Sequence, residues 1–162
     1  ENDIEIIDDT MNNSITITTT NLGIGDYEFA IDNNNFNFQD APYFENVDAG
    51  IHTIYIRDKN QCGVAQIAVS VLGFPKFFTP NGDGVNDFWT INGFDATFYT
   101  ISKISIFDRF GKLIYQIEQN SQGWNGDYQG KKLPSNSYWF RVLLTDIHGF
   151  MIEKSGNFSL IR

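Results

Sequence analysis

The spacing of apolar residues is the feature of this 162-residue sequence that most limits its fold. Almost every apolar run either alternates with polar residues or is short and continuous, and both patterns are typical of β-strands. No stretch combines the 3.6-residue spacing and the terminal caps of an amphipathic helix. The sequence therefore predicts an all-β fold. The predicted strands are Ser14–Thr20, Asp26–Asp32, Ile51–Asp58, Val64–Leu72, Phe74–Phe78, Phe88–Asn92, Ser102–Arg109, Lys112–Ile117, Ser137–Asp146 and Phe150–Ile161.

Charged and aromatic residues are distributed unevenly along the chain. Residues 1–73 carry twelve acidic and two basic residues, whereas residues 74–162 carry eight acidic and nine basic residues. This asymmetry predicts two domains with different surfaces, 1–73 and 74–162, which meet at the Gly-Phe-Pro sequence 73–75. Turn signals at intervals of roughly 8–12 residues favour antiparallel sandwiches. We therefore expect two immunoglobulin-like β-sandwich domains in tandem.

Two hairpins and one central strand are predicted in the second domain. The sequence 103–115 predicts a hairpin in which Gly111 supplies a positive φ. Residues 146–149 predict a second hairpin turn. Both faces of the run from Tyr138 to Leu144 are apolar, which indicates a strand in the middle of a sheet.

Composition argues against several functional classes. The net charge of −9 disfavours a nucleic-acid partner. No apolar run approaches the roughly 18 residues of a membrane-spanning helix. The single cysteine, Cys62, excludes an internal disulfide, and we expect it to be a half-buried small apolar residue. The first residues have no signal-peptide pattern, so we expect a segment of a longer chain or a processed product.

The residue inventory also disfavours an enzyme. The two histidines, His52 and His148, fall on a predicted strand and in a predicted turn, so we interpret them as ordinary surface groups. No nucleophile elbow, phosphate-binding loop or zinc-protease motif is present in the sequence. The acidic pair Asp8 and Asp9 lies in polar sequence and is interpreted as solvated charge. We therefore expect no catalytic residues.

The segment 79–87 is a candidate calcium site. Asn81, Asp83 and Asp87, with the carbonyl of Val85, reproduce the 1-3-5-7 ligand spacing of an EF-hand loop. However, Asn92 stands where that loop has its bidentate Glu, and no helix is predicted to follow. The alternative is a hydrogen-bonded turn in which the Asp and Asn side chains accept backbone N–H groups.

The glycine-rich segment 122–134 also admits two interpretations. Trp124 and Tyr128 could form a stacking platform for a sugar, which would make the chain an extracellular carbohydrate-binding module. Alternatively, Trp124 plugs one end of a β-sandwich core and the glycines let the backbone pass.

Segment 77–89, which reads FFTPNGDGVNDFW, is similar to the opening signature of the gliding motility-associated C-terminal domain. That domain is the type B sorting domain of the type IX secretion system of Bacteroidota. Further matching blocks follow in the family's order, although Phe110 stands where the family more often has Trp or Tyr. These blocks are Ile106–Lys112, Gly123–Gly126, Leu133–Pro134, Tyr138–Phe140 and Gly156–Arg162.

The first half resembles, with looser motifs, the immunoglobulin-like repeats of SprB-like gliding adhesins. The resemblance covers roughly residues 22–72 and rests on the segments 27–32, 44–50 and 55–63.

These resemblances imply that residues 74–162 are a folded secretion signal. Such a signal directs a surface adhesin through the outer-membrane translocon and helps to attach it at the cell surface. The implied partners are the translocon and a PorP/SprF-like partner β-barrel, and no cofactor is required unless the loop binds calcium. We predict that Trp124, Tyr128, Phe158, Leu160 and Arg162 recognise the machinery, with strand addition by Phe150–Ile161 as one docking mode.

Overall fold

The computed structural model describes residues 4–7, 12–32, 37–60, 63–118 and 121–162. Within them the backbone forms strands, loops and one 3-10 turn at Thr19–Asn21, which confirms the predicted all-β fold. No helix in this part of the chain is long and apolar enough to cross a membrane. Cys62, Asp8 and Asp9 lie outside the described residues. The strands are β1 (Ile4–Ile7), β2 (Ser14–Ile17), β3 (Tyr27–Ile31), β4 (Tyr43–Glu45), β5 (Gly50–Asp58), β6 (Val64–Val71), β7 (Phe77–Phe78), β8 (Tyr99–Phe107), β9 (Leu113–Ile117), β10 (Asp127–Tyr128), β11 (Lys131–Lys132), β12 (Asn136–Asp146) and β13 (Met151–Leu160).

The chain divides into two compact units. The first contains residues 1–73 together with Asn92–Asp95, and the second contains Phe74–Ile91 together with Ala96–Arg162. The immunoglobulin-like identity of each unit stays a prediction.

The first unit is built from two antiparallel sheets with the strand orders β1-β2-β4 and β3-β5-β6. Alternate side chains of these strands, such as Ile15, Phe29, Ile54 and Val71, are buried in one shared core. Burial of apolar side chains on one face of each sheet is what the period-two pattern of the sequence requires.

The segment Asn92–Asp95 packs within the first unit although it lies far along the sequence. Gly73 and Asn92 exchange two backbone hydrogen bonds of 3.0 and 2.9 Å. The hydroxyl of Ser70 donates to the carbonyl of Gly93. Gly93 has a φ of +72°, and a Cβ there would collide with the carbonyl oxygen of Val71. This close approach therefore requires glycine.

The second unit is organised around a five-stranded sheet with the order β7-β13-β12-β8-β9. β12 lies at its centre and pairs antiparallel with β8 and β13, which confirms the prediction of a central strand. Both predicted hairpins are confirmed. The β8–β9 turn contains Gly111 at φ +79°, and the β12–β13 turn contains Gly149 at φ +85°.

Some strand predictions were wrong in detail. The segment Phe88–Asn92 is not a strand, because its backbone pairs only at two isolated bridges, Trp89 with Trp124 and Gly73 with Asn92. The predicted strand beginning at Ser14 ends at Ile17, where the chain turns into the 3-10 segment. Strands β1 and β4 and the small β10–β11 hairpin were not predicted, since each is too short to show a clear alternation of apolar and polar residues.

Candidate recognition site of the second unit

Aromatic side chains from separate segments stack into one core in the second unit. The rings of Trp89 and Phe158 lie 4.3 Å apart with their planes 17° from parallel, and Trp89 lies 4.9 Å from Phe140. Trp124 meets Tyr138 edge-on at 5.0 Å. Such pairs contribute about 0.5–1.5 kcal/mol each beyond the burial of their area. The sequence blocks that carry the family resemblance therefore meet in a single aromatic core.

The two tryptophans of this core are fixed by hydrogen bonds at both backbone and side chain. Trp89 and Trp124 exchange backbone bonds of 2.9 and 3.0 Å. The Trp89 indole donates to the carbonyl of Pro75 at 2.9 Å, and the Trp124 indole donates to the carbonyl of Asp127 at 2.8 Å. Gly123 has a φ of +114°, and a Cβ there would lie 2.5 Å from the Trp89 carbonyl oxygen. Glycine at 123 is thus needed for the two loops to meet.

The burial of three predicted recognition residues corrects the sequence analysis. Trp124 is 0% exposed, and Phe158 and Leu160 are each 1% exposed. A side chain with no accessible surface cannot contact a translocon or stack against a sugar while the unit is folded. The core-plug interpretation of Trp124 is confirmed, and the sugar platform of Trp124 with Tyr128 is wrong. These three residues act by packing.

Tyr138 is also a core residue whose polar end is satisfied internally. Its hydroxyl donates to the carbonyl of Pro134 at 3.1 Å. Burial raises the pKa of the Tyr138 phenol above its usual value, because the phenolate would lose hydration. The neutral, hydrogen-bonded form is the one that fits this core.

The side chains of the 79–87 loop accept backbone N–H groups. The Asp87 carboxylate accepts from Gly82 at 2.6 Å and from Gly84 at 2.8 Å. Asp83 accepts from Val85 at 2.8 Å, and the Asn81 side chain accepts from the Asp83 backbone at 3.0 Å. This is the pattern that the turn interpretation expects.

The electrostatics of the loop follow from the same bonds. The Val85 N–H and then the Asn81 amide hold the pKa of Asp83 below its usual value, since both stabilise the ionised carboxylate. Among the described residues, no group of three or more His, Cys, Asp and Glu side chains is placed to hold a metal ion. Calcium binding by Asn81, Asp83, Val85 and Asp87 stays a prediction.

Arg162 connects several loops through its side chain. Its guanidinium donates to the carbonyls of Leu133, Pro80 and Gly126 at 3.0, 3.4 and 3.2 Å. It also lies 3.4 Å from the carboxylate of Asp127. The side chain is only 21% exposed, so most of its surface faces these loops. Arg162 therefore holds the 79–87 loop and the 123–134 segment together.

Three partly exposed aromatic residues lie around one groove of about 360 Å³. Phe88, Tyr115 and Tyr128 line it, and we call it the β9 groove because Tyr115 belongs to that edge strand. The ammonium of Lys112 stands 4.8 Å from the centre of the Tyr128 ring, a cation–π geometry. Of the predicted recognition residues, only Tyr128 lines this groove.

Sequence reasoning missed Phe88 and Tyr115 as surface residues. Both belong to apolar runs, and 41% of Phe88 and 37% of Tyr115 are exposed. Tyr115 is the partner of the buried Ile106, and the pairing shifts register only beyond it, between Ile106 and Phe107, so alternation along β9 does not by itself indicate that Tyr115 is exposed. Phe110, 80% exposed at the tip of the β8–β9 hairpin, was noted only as a departure from the family pattern.

Comparison with known families gives the assignment. The CHU_C type IX secretion signal domain matches residues 72–157, more than half of the chain. The chain belongs to this family. The match spans the 79–87 loop, both tryptophans of the aromatic core and β12, so the family segment and the second unit largely coincide. The resemblance seen in the sequence is thereby confirmed for this segment, whereas the adhesin-like character of the first unit stays a prediction.

Similarity to individual proteins is weak. No curated protein matches the chain. Among solved structures, the chain is similar to dimeric latent PorU from Porphyromonas gingivalis, with 14% identity and a TM-score of 0.35 over 98% of this chain and 20% of that one. It is also similar to SGBP-B from the mixed-linkage glucan utilization locus of Bacteroides ovatus, with 14% identity and a TM-score of 0.28 over 96% of this chain and 42% of that one. The chain thus spans a fifth of the length of PorU and less than half of that of SGBP-B.

Proposed function

We propose that the second unit is a non-enzymatic sorting signal of the type IX system that is recognised in its folded form. In this proposal it directs a surface adhesin through the outer-membrane translocon and helps to attach the adhesin at the cell surface. The specific partner in this proposal is a PorP/SprF-like β-barrel. Membership of a secretion-signal family implies contact with the secretion machinery and export across the outer membrane.

The observation that carries the proposal is that the family segment is a compact unit with its motif residues inside. Trp89, Trp124 and Phe158 are buried together in one aromatic core. A linear signal read as an extended peptide would not need its distinguishing residues buried. Recognition by the shape and charge of a folded surface fits this arrangement.

The first unit supports the role of a solvated cargo module. Its basic residues are engaged by acidic ones, since Arg57 pairs with Glu28 and Lys59 pairs with Asp26 and Asp40. The hydrogen bond that the Lys59 ammonium donates to Asp40, and then the one that it donates to Asp26, raise the pKa of Lys59 to about 12. The unit therefore presents a surplus of acidic groups, which favours a solvated repeat that precedes the signal in the chain.

The geometry of the two histidines is consistent with a non-enzymatic chain. The ring nitrogens of His52 lie 2.7 Å from the Asp32 carboxylate and 2.8 Å from the Asp48 carbonyl, so both are occupied by structural hydrogen bonds. His148 is exposed in the β12–β13 turn. Neither lies in the β9 groove.

Fusions test where the signal resides. A fluorescent protein behind a periplasmic export signal is joined to residues 1–73, to residues 74–162 or to the full chain in a host with the type IX system. We expect surface fluorescence, measured by protease accessibility on intact cells, for the full chain and for 74–162. Export that requires residues 1–73, or occurs with them alone, would contradict the proposal.

A further inference from the structure

We propose that the β9 groove accepts an extended, acidic segment of a partner protein that pairs with the edge of β9 as an added strand. This inference rests on the proposed function and names the kind of contact that the signal makes. Three separate features of the second unit support it: an unpaired strand edge, an aromatic wall and a cationic rim.

The first feature is the open edge of the five-stranded sheet. β9 pairs with β8 on one side, and within the described residues no strand or loop backbone bonds its other side. Its sequence, Leu-Ile-Tyr-Gln-Ile, has no Lys or Pro, two residues that proteins use to block pairing at an exposed edge. Alternate N–H and C=O groups of such an edge are available to an incoming strand.

The opposite side of the sheet is less suited to this role. β13 pairs with β12 along its whole length and with β7 at Ser159 and Leu160. The remainder of its outer edge carries Glu153 and Lys154, which disfavour strand pairing. The sequence predicted strand addition at Phe150–Ile161. We place strand addition at β9 instead, because its outer edge is open.

The second feature is the aromatic wall beside β9. The groove is lined by Tyr115 of β9, Phe88 of the loop between β7 and β8, and Tyr128 of β10. The turn that closes β10–β11 has Gln129 at φ +51° and Gly130 at φ +75°, the two positive values of a tight hairpin turn. Because this wall is held by a hairpin and by the hydrogen bond from the Trp124 indole to the carbonyl of Asp127 in β10, the groove is formed before any partner arrives. A strand lying beside β9 would place alternate side chains against these rings.

The third feature is the charge around the groove. Lys112 stands over the Tyr128 ring, and Lys131 is the cross-strand partner of Tyr128. Arg109 lies in the β8–β9 turn, and Lys132 follows Lys131 in β11. None of the four forms an ion pair in the part of the chain that the structure describes. Asp127 also lines the groove, but its carboxylate is paired with Arg162 at 3.4 Å, so it has a cation of its own besides these four. Charge complementarity therefore selects an acidic occupant.

Variants of the full chain in an exporting host test this inference. The aromatic wall is changed by Tyr115→Asp, with Phe150→Asp as its control, because Phe150 is an exposed aromatic residue outside the groove. The cationic rim is changed in a double variant that combines Lys131→Glu and Lys132→Glu. The control is a double variant that combines Lys76→Glu and Lys103→Glu. All four lysines are exposed, so these charge reversals preserve the fold. Melting curves of the purified chains verify folding.

We expect both groove variants to lower surface display of the reporter at least tenfold and both controls to change it less than twofold. A photo-crosslinking residue at Phe88 should capture a partner peptide rich in Asp and Glu. If the wild-type chain is displayed and the lysine double variant is displayed equally well, the inference is overturned and the proposed function is left intact. Loss with Tyr115→Asp alone overturns the acidic occupant in favour of an uncharged ligand such as a glycan. Failure of the wild-type chain to reach the surface overturns the proposed function itself.

Discussion

Trp89 and Trp124, which lie 35 positions apart in the sequence, exchange both of their backbone hydrogen bonds and are each 0% exposed. This bridge joins the loop after β7 to the segment before β10 and closes the aromatic core of the second unit. The stability of the proposed signal therefore depends on a contact between two loops.

Gly123→Ala tests the requirement for this contact. The new Cβ would meet the Trp89 carbonyl oxygen at a φ of +114°, so we expect the second unit to lose about 2–3 kcal/mol of stability, measured by urea unfolding. Gly111→Ala is the matched control. Gly111 also has a positive φ, but nothing lies within 4 Å of its added Cβ. Equal losses for the two variants would show that strain alone, and not the loop contact, accounts for the effect.

Arg162→Ala tests the loop clamp. The hydrogen bonds of Arg162 to the carbonyls of Leu133, Pro80 and Gly126 predict a loss of roughly 1–2 kcal/mol. Arg141→Ala, which breaks an exposed pair with Glu153, should cost less than about 1 kcal/mol. If the two arginine variants unfold at the same urea concentration, Arg162 does not act as a clamp.

Calcium titration separates the two interpretations of the 79–87 loop. Because Asp83 and Asp87 already accept backbone N–H groups, we expect the same melting temperature in calcium and in chelator. Asp83→Ala should lower the melting temperature equally in both conditions. A rise of the melting temperature with calcium that Asp83→Ala abolishes would instead establish the calcium site.

Alkaline unfolding tests the burial of Tyr138. Its pKa is raised above the ordinary value of 10.0, so its contribution to stability is complete below pH 10 and is lost as the pH rises through the higher pKa of the folded state. Tyr138→Phe removes the bond to Pro134, which costs about 1 kcal/mol at neutral pH, and should weaken the loss of stability above pH 10. Tyr115→Phe, at an exposed position, is the control. An unchanged pH dependence in Tyr138→Phe would contradict the burial.

The sequence was sufficient to predict what local patterns determine. The apolar residues on both faces of Tyr138–Leu144, the glycine at 111 and the turn sequence 146–149 predicted the central strand and both hairpins, because strand faces and turn φ values depend on neighbouring residues. The exposure of Phe158, Leu160 and Trp124 could not be predicted in this way. Whether such a residue packs or protrudes depends on contacts with segments far along the chain, here the loops around Trp89.

The β9 groove illustrates the same limit at the candidate site. Tyr128 was selected from its glycine-rich sequence, but Phe88 and Tyr115 join it only through the fold. Tyr115 pairs with the buried Ile106 and is still 37% exposed; β9 is the edge strand of its sheet, a position that no sequence motif marks.

Surface display with and without the secretion machinery tests the central claim most directly. The full chain is fused behind a periplasmic fluorescent reporter in two isogenic strains, one with the type IX translocon and one from which it has been deleted. We expect the reporter to be accessible to external protease on intact cells only in the first strain and to remain protected in the periplasm of the second. Protection in both strains, or equal accessibility in both, would contradict the assignment of this chain as a type IX sorting signal.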